Sequence, residues 1–375
     1  MKIGFVLDDG LDKPDGVQQY IRTLGEWYQS RGHEVRYLVG QTTRTDIAGV
    51  HSMSRNVKVR FNGNAMTIPL PASRKKIKEV LDLEQFDALH VQVPYSPFMG
   101  ARVIKAAGSN VAVVGTFHIL PYGLISFAGT KLLGLWLHRN LKRFDAFVSV
   151  SEPAAEFARR TFGIVSDVVP NSVQIMQFKP NKRSTKIDKL SVVFLGRLVH
   201  RKGAQQLLKA LADLKLKKRL PDNVTVDICG DGQQRQSLET FVNKNNLQDH
   251  VTFRGFVSNE DKIRFLQNAD IAVFPSISGE SFGIVLIEAM AANAGVVLAG
   301  NNPGYESVML SVPETLFDPL DTTAFAGKLN DYITDPKLRA SVHERQQKLV
   351  TKFDTPVVGE QLLDLYTACK SNRNR

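Results

Sequence analysis

At 375 residues, with 43% hydrophobic and 23% charged side chains, the chain is too long for a single core and too apolar for a disordered polypeptide, so two domains are expected. Its net charge of +11 points to anionic partners: nucleotide phosphates, acidic lipid or nucleic acid. Two cysteines, Cys229 and Cys369, exclude a disulfide framework and a cysteine-built metal centre, and fit a reducing, cytoplasmic compartment.

The chain runs from Met1-Lys2 straight into the apolar run Ile3–Leu7, so no secretory leader is expected. Further apolar runs at Val35–Val39, Ala88–Val91, Val111–Thr116, Ala146–Val150 and Val168–Val169 read as buried parallel strands. Helical patterns separate them at Val17–Arg31, Ser73–Leu83, Met99–Ala107, roughly Leu124–Leu141, and Glu152–Phe162. A hairpin-like pair, Val57–Phe61 and Met66–Pro69, turns at Asn62-Gly63. Ile119–Leu137 is the most membrane-like stretch, but Pro121, Lys131 and three glycines interrupt it, which suggests a buried or interfacial helix. A basic, Pro-containing linker, Phe178–Lys189, follows.

The alternation then restarts at Ser191–Leu195, Val224–Cys229, Val251–Phe253, Ile271–Phe274 and Val296–Leu298. The expectation is an α/β protein of two doubly wound, Rossmann-like domains facing a cleft, residues 1–172 and 173–355. A last helix, about 356–372, follows the second domain and is expected to cross back to the first.

The densest chemical signal is Gly279-Glu-Ser-Phe-Gly-Ile-Val-Leu-Ile-Glu288, between an apolar strand and an apolar helix. Eight positions on a helix span about two turns, which would put Glu280 and Glu288 near one face. The amides of Ser281, Phe282, Gly283 and Ile284 would meet an anion at the helix mouth. An anion sink beside two hydroxyl-seeking carboxylates suits a sugar nucleotide. The alternative is a helix cap at Glu280 and a solvated Glu288, but the apolar run from Ile284 to Ile287 makes an idle charge at Glu288 costly.

Three other segments follow strands and so aim at the same cleft. Gly196-Arg197 through Lys202-Gly203 offers a forked and a point cation for a diphosphate, or merely a solvated basic loop. Gly230-Asp231-Gly232 brings backbone close to a base or ribose. Asp15-Gly16 opens the first helix as a second amide-rich anion site, and His118 ends the fourth strand, facing the cleft rather than a core. Scattered histidines without paired aspartates argue against a metal site.

Together with Phe274-Pro275-Ser276 and Pro170-Asn171, these motifs resemble the retaining glycosyltransferases of the GT-B fold, in the large family-4 group. Within it the chain is most similar to the phosphatidyl-myo-inositol mannosyltransferases. The resemblance implies hexose transfer with retention from GDP-mannose, a nucleotide sugar that is substrate rather than cofactor, with no tightly bound cofactor or metal. It implies Arg197, Lys202, Glu280 and His118 as catalytic residues. On the donor side are Gly16, Gly196, Gly230, Asp231, the amides of Ser281 to Ile284, and Glu288. Asp15, Gly16, Gln18, Asn62 and His118 lie on the acceptor side. The group usually has G-G-V at Asp15-Gly16-Val17 and P-N-G-V at Pro170-Asn171-Ser172-Val173, and Asp15 adds negative charge near the acceptor.

The implied acceptor is a lipid or polyol such as phosphatidylinositol, on the inner face of the cell membrane. Arg74, Lys75, Lys76 and Lys78, beside Ile77, Val80 and Leu81, would then dock a basic, apolar-striped helix on anionic lipid. Two alternatives stay open: a UDP-sugar donor with a soluble or different lipid acceptor, and a sugar-nucleotide epimerase on the same plan. Nucleic acid is not an expected partner, because no aromatic residues interleave the basic ones.

Overall fold

The protein is described by a computed structural model over residues 1–12, 15–61, 64–70, 72–118, 140–178 and 189–373. The chain divides into two compact units, Met1–Ser172 with Thr355–Arg375, and Val173–Asp354. Asn62, the Asn62-Gly63 turn, most of the helix expected at 124–141 and most of the linker lie outside the described residues.

The first unit is built on a seven-stranded sheet. Its strands are β1 (Lys2–Leu7), β2 (Glu34–Val39), β3 (Val50–Ser52), β6 (Ala88–Gln92), β7 (Ala112–Phe117), β8 (Ala146–Ser149) and β9 (Asp167–Val168). They lie in the order β3-β2-β1-β6-β7-β8-β9, and every pairing is parallel. Between β3 and β6, β4 (Asn56–Phe61) and β5 (Asn64–Pro69) form the expected antiparallel hairpin. The apolar runs are continuous because helices cover both faces of the sheet.

On one face, helix α1 (Gly16–Ser30) buries Tyr20, Ile21, Leu24 and Tyr28 against Phe5 and Tyr37. The last helix, α12 (Thr355–Arg373), joins that core through Val358, Leu362 and Tyr366, and Tyr28 donates to the Gly359 carbonyl at 3.0 Å. On the other face lie α2 (Arg74–Glu84) and α3 (Met99–Ala106); α4 (Glu152–Phe162) follows β8.

The second unit carries β10 (Leu190–Leu195), β11 (Val224–Cys229), β12 (Val251–Gly255), β13 (Ile271–Phe274), β14 (Val297–Gly300) and β15 (Leu316–Phe317). Their order is β12-β11-β10-β13-β14-β15, again all parallel. Its helices are α5 (Ala204–Leu216), α6 (Arg235–Lys244), α7 (Asn259–Asn268), α8 (Ile284–Ala291), α9 (Pro303–Met309), α10 (Thr322–Thr334) and α11 (Pro336–Val350). Leu207, Leu211, Ile228, Val273, Leu298 and Phe325 fill the core. The edge strands β3 and β15 were not anticipated; two or three residues are too few for a periodicity to register.

In both sheets the chain winds outward from a central strand and then returns to that strand's other side. The reversal falls between β1 and β6, and between β10 and β13. Ligands of open parallel sheets lie beyond the carboxyl ends of the strands at such reversals, which singles out the loops after β1, β10 and β13.

Candidate active site

In the second unit, β10 and β13 pair through Val192 and Ile271, so the loops that follow them emerge side by side. The first holds Gly196, Arg197 and the short helical turn His200–Lys202; the second runs from Pro275 to Gly283. They nest backbone to backbone. The Ile277 N–H donates to the Arg201 carbonyl at 2.8 Å, and the Ser276 hydroxyl lies 3.0 Å from the same oxygen. Gly203 makes this approach possible: its φ is +77°, and a Cβ there would overlap the Pro275 carbonyl. Gly230, at φ +136°, likewise lies against the Gly196 carbonyl, so the Gly230-Asp231-Gly232 turn supports the Arg197 loop. Asp231 itself is exposed, and its carbonyl accepts from Leu198 N–H at 2.9 Å.

Lys202 and Glu280 come together, with Lys202 Nζ 2.8 Å from Glu280 Oε1. The sequence reading missed Arg201, whose Nη1 is 3.0 Å from the same oxygen, and Ser276, whose hydroxyl is 2.7 Å away. Burial alone would raise the Glu280 carboxyl; Lys202 and Arg201 more than reverse this and hold it below the usual carboxylate range. The cluster therefore carries one carboxylate and two cations. The H-R-K-G run did signal Arg201, since it adjoins Lys202 in the same loop. Arg197 is exposed on the Gly196 loop.

Two expectations for the Glu280–Glu288 block change. Helix α8 begins only at Ile284, so Glu280 lies in the preceding loop and helical-face geometry does not relate it to Glu288. Gly283, at φ +126°, stands at the start of α8, and no side chain caps the helix there. Ser281 is half-buried, while the Phe282 ring is buried edge-on to Phe353 with centroids 5.6 Å apart. Glu288 is on α8 and buried, as the apolar run implied, but its Oε1 is held by Lys262 Nζ at 2.6 Å. Lys262 is the third residue that sequence reasoning missed; the only hint was that a buried charge requires a partner.

In the first unit, Asp15 stands at the start of α1, and Asp15 and Gly16 are exposed. Gln18 is buried, with its Nε2 3.3 Å from the Gly10 carbonyl and 3.4 Å from Asp9 Oδ2. His118, expected to face a cleft rather than a core, is buried. It is 5% exposed, lies edge-on to Tyr20 with ring centroids 4.9 Å apart, and has Nε2 2.6 Å from Gln92 Oε1. Burial pushes its imidazole down to about 3, so the ring is neutral at ordinary pH. Below it, His90 links Thr116, at 2.5 Å, to Tyr366 of α12, at 2.6 Å.

The basic helix is also corrected. Ile77 and Val80 of α2 are buried in the unit's own core with Val6, Leu38 and Leu89, and Leu81 packs against it, so no apolar stripe is left for lipid. Arg74, Lys75, Lys76 and Lys78 are exposed; Lys76 donates to the Ser52 carbonyl at 2.6 Å and Lys75 pairs weakly with Glu79 at 3.9 Å. No helix among the described residues is long and apolar enough to cross a membrane.

Two Rossmann-like units, with a half-buried cation–carboxylate cluster at the sheet reversal of the second, define the GT-B class of glycosyltransferase. Solved glycosyltransferases share this fold. The Rickettsia africae glycosyltransferase superposes with a TM-score of 0.77 over 98% of both chains at 19% identity. Anabaena Alr3699/HepE in complex with UDP does so with 0.78 over 98% of this chain and all of that one, at 18% identity. Residues 14–176 match the Glycosyltransferase Family 4 model, and residues 176–349 match Glycosyl transferases group 1. The phosphatidyl-myo-inositol mannosyltransferase of Mycolicibacterium smegmatis is 30% identical over 98% of this chain and 93% of its own. The chain belongs to this glycosyltransferase family.

Proposed function

We propose that the protein transfers mannose from GDP-mannose to a phosphatidylinositol-type lipid acceptor. The observation that carries this is the 30% identity to a phosphatidyl-myo-inositol mannosyltransferase across nearly the whole of both chains. In this reading the second unit binds the donor. Arg197 and Lys202 neutralise the leaving diphosphate, a contribution strongest in the transition state, and Glu280 accepts hydrogen bonds from hydroxyls of the transferred sugar. The first-turn amides of α8 add to the diphosphate site, and Glu288 orients the ribose. Asp15, Gly16, Gln18 and Asn62 of the first unit receive the acceptor. His118, neutral and oriented by Gln92, serves there as a hydrogen-bonding group rather than as an acid. Retention is expected from the family, with the departing phosphate oxygen taking the acceptor's proton.

The acceptor is met at the inner face of the cell membrane, where the exposed lysines and arginine of α2 contribute charge alone. The test is product formation from radiolabelled GDP-mannose with phosphatidylinositol vesicles, alongside UDP-glucose and UDP-N-acetylglucosamine. Mannolipid from GDP-mannose is the expected result. Turnover of a UDP sugar in its place, or of a soluble acceptor only, would overturn the reading.

A further inference from the structure

The two cations on Glu280 differ in how they are held. Arg201 is fixed at both ends. Its carbonyl accepts from Ile277 N–H at 2.8 Å and lies 3.0 Å from the Ser276 hydroxyl, while its Nη1 meets Glu280 Oε1 at 3.0 Å. Lys202 is held at its backbone too, its N–H donating to the Val199 carbonyl at 3.0 Å, but its side chain meets Glu280 Oε1 only through the tip of a flexible four-carbon stem, at 2.8 Å. An ammonium group is a point charge that re-aims at little cost, whereas a guanidinium is a pre-organised planar fork. A single carboxylate oxygen with two cations and a hydroxyl is also crowded, and an arriving diphosphate competes for the cation whose charge re-aims at least cost.

We propose that Arg201 is a positioning residue. It holds the Glu280 carboxylate in place through the catalytic cycle, so that Lys202 can exchange from Glu280 to the donor's diphosphate without loss of the sugar-binding carboxylate. The inference rests on the proposed use of Glu280 and Lys202, and it separates the two adjacent cations by task. Lys202 serves both nucleotide affinity and the departing charge; Arg201 serves turnover without touching the nucleotide.

The test uses the full chain and its Arg201→Gln, Arg201→Lys, Lys202→Gln and Glu280→Gln variants. Each is checked by thermal unfolding, titrated calorimetrically with GDP and with UDP, and assayed for kcat and donor KM. Lys202→Gln should weaken binding of the preferred nucleoside diphosphate by about tenfold, the loss of one charge-assisted contact. Arg201→Gln should leave that affinity within about twofold while kcat falls by about tenfold or more. Arg201→Lys should recover only part of the turnover, because an ammonium supplies the single contact seen but can re-aim to the diphosphate as Lys202 does. If Arg201→Gln weakens nucleotide binding as much as Lys202→Gln does, Arg201 is a second phosphate ligand and the proposal fails. It fails equally if kcat is unchanged. Should Arg201→Gln not fold, Arg201→Lys decides: wild-type affinity with a kcat several-fold below wild type supports the proposal, and lost affinity or unchanged kcat overturns it. Wild-type turnover by Glu280→Gln would instead overturn the assigned role of Glu280, and the positioning role with it.

Discussion

Replacing Lys262 by methionine would leave the Glu288 carboxylate buried without its cation. The Glu288 side chain is 5% exposed and Lys262 16%, with 2.6 Å between the charged atoms. Removing one partner of a buried pair costs about 3–5 kcal/mol, because the remaining charge stays desolvated. In a unit of this size each kcal/mol lowers the melting temperature by about 2–4 °C, so the expected drop is on the order of 10 °C. The opposite change, Glu288→Gln, is milder. Glutamine keeps the shape and an acceptor oxygen, and Lys262 can turn its ammonium towards water, so about 1 kcal/mol is expected.

Scanning calorimetry of the full chain measures both, and the second unit's transition is expected to be the one raised by whichever of GDP and UDP binds. A loss below about 1 kcal/mol in Lys262→Met would show that the pair is not the structural requirement its burial implies. An equal loss in the two variants would refute the asymmetry. The same proteins separate structure from chemistry, since Glu288→Gln should raise donor KM even where it folds well.

His118 and His90 are both held neutral by burial, each with its pKa pushed down to about 3 from 6.5. The folded state therefore binds fewer protons than the unfolded one between these values, and stability should fall as pH drops from 6.5 towards 3. At pH 5 His118 and His90 each account for about 2 kcal/mol of that loss; resonances assigned to these two imidazoles that titrate near 6.5 in the native protein would contradict it. Lys202→Ala or Arg197→Ala should lower turnover about a hundredfold in a folded protein, and wild-type kcat in either would remove the phosphate role. Changing Arg74, Lys75, Lys76 and Lys78 to glutamine should reduce salt-sensitive co-sedimentation with anionic vesicles and leave melting nearly unchanged. Persistent binding by this variant would place any membrane contact elsewhere.

Much of the fold is a local property. Apolar runs of four to six residues alternating with amphipathic helices require parallel sheets covered on both faces, and the hairpin and α8 follow from turn chemistry and an apolar run. The motif glycines were equally legible, because only residues without Cβ allow loops to nest as Gly203 does on Pro275. What a side chain meets across the sheet is not local. Arg201 and Glu280 lie 79 positions apart, and Lys262 and Glu288 lie 26 apart. Periodicity showed that Glu288 would be buried but not which cation would cover it, and it made Ile77 and Val80 an apolar stripe without saying which surface they face. His118 followed the same logic: the end of a strand looked open until α1 set Tyr20 against it. Strand order decides these contacts, because placing β13 beside β10 is a long-range choice that no window of sequence contains.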